Sequence, residues 1–134
     1  MSSTTPGKRP MSPFMIGPYY KPQLTSMLSI THRATGVFLT FGALLLAWWL
    51  TALAGGPESY ARFESLAGGL LGKLALIALA WSLVFHFLNG IRHLLWDIGW
   101  GLEVPRAYAT GWAVLFGSLL ITALVAFVAF GDRA

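Results

Sequence analysis

His86-Phe87-Leu88-Asn89-Gly90-Ile91-Arg92-His93-Leu94-Leu95-Trp96-Asp97 closes a strongly apolar run that begins after Lys73. On a helix, residues three, four and seven apart share a face, so His86, Asn89, Gly90, His93 and Asp97 line one stripe. Phe85, Leu88 and Leu95 fall on the opposite side. A polar stripe with two histidines in a lipid-like helix is costly unless those groups have partners. Intramembrane ionisable groups are a functional hypothesis by default. The stretch therefore points both to a membrane-spanning helix and to the place where chemistry is to be sought.

Composition supports that reading. The chain has 134 residues, 56% of them hydrophobic and only 10% charged. Soluble domains carry about a quarter charged residues, so this chain cannot dress a water-facing surface. Three windows are free of charge, Ala34 to Ala54, Leu74 to Ile91 and Ala107 to Gly131. Each reaches the roughly 18 residues of a spanning helix. The second is short, and Leu66, Leu70 and Leu71 extend it past Lys73. The expected fold is an all-α membrane protein with three transmembrane helices near 26–54, 66–97 and 106–130, in a single domain, 1–134. With no cysteine, disulfides, Cys-ligated clusters and c-type haem attachment are excluded. The net charge of +4 comes from basic residues placed mostly at span ends, which fits membrane orientation better than nucleic acid.

Outside the spans the chain is punctuated. Residues 1–23 form an expected N-terminal arm, broken by Pro10, Pro13, Pro18 and Pro22 and carrying Phe14, Tyr19 and Tyr20. An extended arm at the membrane surface or against a partner fits that pattern. No secretory signal is apparent, so the first span reads as a retained anchor. Thr25 or Ser26 is the expected N-cap of that span. Ser29, His32, Arg33 and Gly36 then share a face near the boundary. Arg33 has a plain reading as a snorkelling cation, and Ser29 as a donor to its own helix. Together they also describe a polar pocket. Gly55-Gly56-Pro57 ends the first span, and the segment from Glu58 to Gly72 has room for a short interfacial helix. Gly99 and Gly101 end the second. Small residues at Ala109, Gly111, Ala113, Gly117 and Ser118 permit close packing of the third.

Six basic residues, Lys8, Arg9, Lys21, Arg33, Arg92 and Arg106, fall on one side of the membrane, and Arg62, Lys73 and Arg133 on the other. The positive-inside rule then places the N-terminus in the cytoplasm, or the matrix of an organelle. His32 and the His93–Asp97 end of the second span meet near that surface.

His86 lies about ten residues from the cytoplasmic end of its helix, roughly 15 Å in at ~1.5 Å per residue. A neutral imidazole there suits a haem iron, proton transfer, or a simple hydrogen bond to a neighbouring helix. For a bis-histidine haem, His32 is expected to be too shallow to face His86, and His93 shares its helix. The second ligand would then come from another chain. His93 and Asp97, four apart, read also as a simple pair, and Arg92 as a snorkelling residue or a contact for an acidic partner. Trp96 and Trp100 suit an interfacial belt.

Two stretches carry a family resemblance. Arg9-Pro10-Met11-Ser12-Pro13 leads into Ser29-Ile30-Thr31-His32-Arg33-Ala34-Thr35-Gly36, matching S-x-x-H-R-x-[ST]-G. His86 to Gly99 matches H-x-x-x-G-I-R-H-x-x-x-D-x-G. In this order and separation, the chain resembles the cytochrome b membrane-anchor subunit of succinate dehydrogenase over essentially its whole length. The resemblance implies a haem-binding helical bundle completed by a second membrane-anchor subunit, in a complex with a flavoprotein and an iron–sulfur subunit. It implies His86 as axial ligand of haem b, His32 near the haem propionates, and His93 as a propionate or helix-end contact. It implies Ser29 and Arg33 at the site of quinone reduction, with ubiquinone or a related quinone as substrate. No role passes to Asp97 beyond helix-end structure. The implied setting is a bacterial inner membrane, or the mitochondrial inner membrane in a eukaryote. The rival readings are a fumarate reductase anchor and a three-span scaffold without cofactor.

Overall fold

The computed structural model describes residues 21–131. Most of the expected N-terminal arm, 1–23, and Arg133 lie outside the described residues. Among the described residues the elements are α1 (Leu24–Ala54), α2 (Pro57–Ala67), α3 (Leu70–Asp97) and α4 (Val104–Phe130), with no strand. Helices α1, α3 and α4 are each long and apolar enough to cross a membrane. The protein is thus an all-α, multi-pass membrane protein.

Each helix starts and stops for a local reason. Helix α1 begins as soon as the proline run ends at Pro22. Its N-cap is Gln23, in extended conformation and with no side-chain cap bond. Thr25 and Ser26, expected as caps, sit inside the first turn instead. The Gln23 carbonyl accepts from the Met27 amide at 3.0 Å. Pro57 starts α2, a position where its missing N–H costs nothing. Phe63 of α2 is buried with its ring edge on Trp48, 4.9 Å between centroids.

The second span does not extend back to Leu66. That residue belongs to α2, and α3 begins at Leu70. The Gly68 amide closes α2 onto the Glu64 carbonyl at 2.7 Å, and Gly69 is extended as the N-cap of α3. The corner is tight. A Cβ on Gly72 would lie 2.4 Å from the Ala67 carbonyl oxygen, so a continuous helix is replaced by a glycine-dependent turn. At its other end, α3 stops at Gly99 and Gly101, with φ of 81° and 80°.

Helix α3 lies between α1 and α4, and α2 crosses the far end of α1 and α3. The core is small: Leu28, Phe85 and Val114, with Leu24, Trp81 and Leu88 packed against it. Phe85, expected to face away from the polar stripe, is fully buried between the other two spans. Helix α4 buries Ala107, Gly111, Val114, Ser118 and Thr122, spaced by three and four as a single helix face requires. Of the small residues expected there, Gly111 and Ser118 lie inside, while Ala109 and Ala113 face outward. Large apolar side chains such as Phe41, Leu44, Leu71 and Phe127 are exposed all around the bundle, as lipid or further helices require.

Candidate functional site

The site forms where the first third of α1 meets the last third of α3. The His32 and His86 rings stack face to face, with centroids 3.9 Å apart and planes 11° from parallel. The expectation that His32 is too shallow to face His86 therefore fails. Helix α1 starts at Leu24, well before its charge-free window opens at Ala34. His32 is thus about 12 Å into α1, and His86 about 16 Å from the Asp97 end of the antiparallel α3.

The orientation of His86 follows from Thr35. The Thr35 hydroxyl donates its single proton to the Thr31 or His32 carbonyl, each 2.9 Å away. Its oxygen is left as an acceptor facing His86 Nδ1 at 3.3 Å. The His32 carbonyl faces the same nitrogen at 3.0 Å. Two acceptors place the proton on Nδ1. Nε2 then keeps its lone pair and, among the described residues, has no hydrogen-bond partner. Gly36 supports the ring from one side. A Cβ there would lie 3.0 Å from His86 Cε1.

Nearer the α1 start, Arg33 Nη2 donates to Ser29 Oγ at 3.3 Å. Both border a cavity of about 370 Å³ that also touches Thr25, Arg92, His93 and Trp96. The polar pocket anticipated on α1 is thus completed by α3. His93 bonds Asn89, whose Nδ2 is 3.3 Å from His93 Nε2, and Asp97 is exposed rather than paired with it.

Arg92 corrects a further expectation. It reaches neither the headgroups nor an outside surface, being only 3% exposed. It donates through Nε to Thr110 Oγ1 at 3.1 Å, through Nη2 to the Ala107 carbonyl at 2.9 Å, and through Nη1 to Asn89 Oδ1 at 3.5 Å. Its guanidinium lies 3.9 Å over the Trp96 ring. Trp96 is held in turn by its indole N–H on the Gly101 carbonyl at 3.1 Å and forms part of the cavity wall. Trp100 is 48% exposed. Thr35 and Arg92 stand in the two quoted motifs without a site role drawn for them, and Thr110 stands in neither. For Arg92 a signal existed: it follows Phe85 by seven and so shares the core face.

Fold and site together define a helical membrane protein with three long apolar helices and a histidine fixed at one ring nitrogen and open at the other. Comparison with known proteins makes the assignment specific. Residues 5–125 match the family model described as succinate dehydrogenase/fumarate reductase transmembrane subunit. The succinate dehydrogenase cytochrome b556 subunit of Rickettsia conorii is 43% identical over 118 residues, 88% of this chain and 90% of that one. The cytochrome b556 subunit of Paracoccus denitrificans is 35% identical over 130 residues, 97% and 98% of the two chains. The mitochondrial cytochrome b560 subunit of Mus musculus is 41% identical over 118 residues, 87% of this chain and 69% of that one. The chain belongs to the family of succinate dehydrogenase cytochrome b membrane-anchor subunits.

Proposed function

We propose that this chain is the cytochrome b anchor of a succinate:quinone oxidoreductase, with His86 as an axial ligand of haem b and Ser29 and Arg33 as part of the quinone-reduction site. The observation that carries the proposal is the state of His86. Metal-binding histidines commonly donate the other ring N–H to a carbonyl or another acceptor, which fixes the tautomer. His86 does so twice, to the His32 carbonyl and to Thr35. The residues present therefore fit a haem iron at Nε2.

The second axial ligand is to be supplied by the other anchor subunit. Imidazole lone pairs lie in the ring plane, and the His32 ring is stacked on that of His86. Two rings so stacked would not both hold one iron. His93 lies on the same helix as His86. The dependence on another chain expected from depth thus rests on ring geometry instead. The family resemblance supports His32 near the haem propionates and His93 as a propionate or helix-end contact. Haem, when bound, supplies a one-electron store beside the quinone site.

Ser29 and Arg33 offer a hydroxyl and a guanidinium to quinone carbonyl oxygens, and the cation stabilises charge as the quinone is reduced. Electrons reach this edge from the iron–sulfur subunit, which receives them from the flavoprotein. By this reading the chain by itself does not oxidise succinate. The N-terminus faces the cytoplasm of a bacterium, or the matrix of a mitochondrion.

The test is the reduced-minus-oxidised visible spectrum of the purified complex, wild type against His86→Ala. Loss or shift of a b-type band in an assembled mutant is the expected result. An unchanged band would overturn the ligand assignment. A complex with no such band in the wild type would favour a scaffold without cofactor.

A further inference from the structure

Asn89 is fully buried, Arg92 nearly so, and the two are hydrogen-bonded in the last third of α3. We infer that Arg92 and Asn89 are positioning residues that lock His93 in one tautomer, so that it presents a fixed Nδ1–H donor to an oxygen acceptor bound in the Ser29–Arg33 cavity. The inference rests on the reading of that cavity given above and adds the part of it that α3 supplies.

The chain of donors has one direction. A guanidinium only donates, so the Asn89 atom 3.5 Å from Arg92 Nη1 is the carbonyl oxygen. The amide can then turn only its NH2 toward His93 Nε2, 3.3 Å away. An NH2 group donates, so Nε2 is the acceptor and the neutral imidazole carries its proton on Nδ1. Among the described residues Nδ1 of His93 has no partner, and it is not one of the buried polar atoms left without one. His93 lines the cavity beside Arg33 and Ser29. The polarity is anchored outside the site. Arg92 is itself fixed by Thr110 and the Ala107 carbonyl on α4, and by the Trp96 face. An elaborate buried arrangement thus ends on a single ring nitrogen.

The ligand chemistry is an oxygen acceptor, either a quinone carbonyl or a haem propionate carboxylate, and the two have different readouts. The variant is Asn89→Asp, of nearly the same shape. Its carboxylate still accepts from Arg92 but has no NH2, so a neutral His93, compared at a pH high enough to keep it neutral, must carry its proton on Nε2 and loses the Nδ1 donor. Thr110→Ala loosens the Arg92 anchor from a residue outside the cavity lining and serves as a second, milder variant. The measurements are ¹⁵N NMR of histidine-labelled complex, quinone KM and kcat, and haem midpoint potential, each on complex shown by its visible band to be assembled.

The expected result is a wild-type His93 protonated at Nδ1 and an Asn89→Asp protein protonated at Nε2. Quinone KM should rise about threefold to tenfold with kcat little changed if the acceptor is quinone, the size of one lost hydrogen bond. A shifted haem potential with unchanged KM identifies the propionate. An unaltered His93 tautomer in both variants overturns the positioning role, and a switched tautomer that moves neither KM nor potential overturns the donor role. If Ser29→Ala and Arg33→Lys also leave KM unchanged, the quinone reading of the cavity has failed instead, which the NMR result would not show.

Discussion

Thr35 has one hydroxyl proton and two carbonyls to receive it, which is why it faces His86 as an acceptor. Thr35→Val keeps the shape and removes that acceptor, leaving only the His32 carbonyl at Nδ1. The expected outcome is an assembled complex that still binds haem but holds it up to about tenfold less tightly, measured as haem loss to a scavenger. Gly36 has the opposite sensitivity. Gly36→Ala puts a methyl 3.0 Å from His86 Cε1, so the ring must shift by a few tenths of an ångström. A displaced or broadened b-type band is expected, and Gly36→Val should exceed it. A spectrum identical to wild type in Gly36→Val would show that the ring is not seated against α1 as described.

At the scale of helices, α3 and α4 are joined by Arg92 and α1 and α4 by the close approach at Gly111. Arg92→Lys retains the charge but cannot reproduce the fork that reaches Thr110 and Ala107 together. It is expected to cost about 2 kcal/mol, the scale of a hydrogen bond to a charged group, read as a lower denaturation midpoint of the complex in detergent. A Cβ on Gly111 would lie 2.8 Å from Leu28 Cδ1 and 3.2 Å from Leu24 Cδ2, both ends of flexible side chains. Gly111→Ala should therefore be tolerated, whereas Gly111→Leu should destabilise by about 1–3 kcal/mol through overpacking. Apolar patterning shows that α4 spans a membrane. It does not show which side of α4 touches α1, because apolar side chains surround the helix and the hydroxyls of Thr110 and Ser118 bond within the helix or to α3.

For the whole molecule, the absence of cysteine gives a direct test of orientation. In single-cysteine variants Glu58→Cys and Glu103→Cys, both at exposed sites, an impermeant thiol reagent should label them from opposite sides of the membrane. Glu103 should react from the cytoplasmic side, and labelling from the other side would invert the proposed topology. The burial pattern makes a related statement about assembly. Among the described residues the main core cluster is three buried side chains, Leu28, Phe85 and Val114, with three more against them, while apolar side chains line the outside. Helices in lipid associate by packing and by polar contacts rather than by hydrophobic expulsion, so this outer surface is free for lipid or for another subunit.

The sequence by itself determined that the chain crosses a membrane three times, where glycine and proline interrupt it, and that His32, Ser29, Arg33, His86 and His93 belong to its polar stretches. These follow from composition and from local periodicity, which act along the chain. Only the tertiary structure decided depth and partnership. His32 reaches the level of His86 because α1 starts before its charge-free window, and charge-free length does not mark where a helix begins. Arg92 turns inward because α4 offers a carbonyl and a hydroxyl at the right height, and Asn89 meets His93 because Arg92 holds its amide. Such bonds join residues on different helices or turns, and a buried polar group is satisfied by whatever lies opposite it in space.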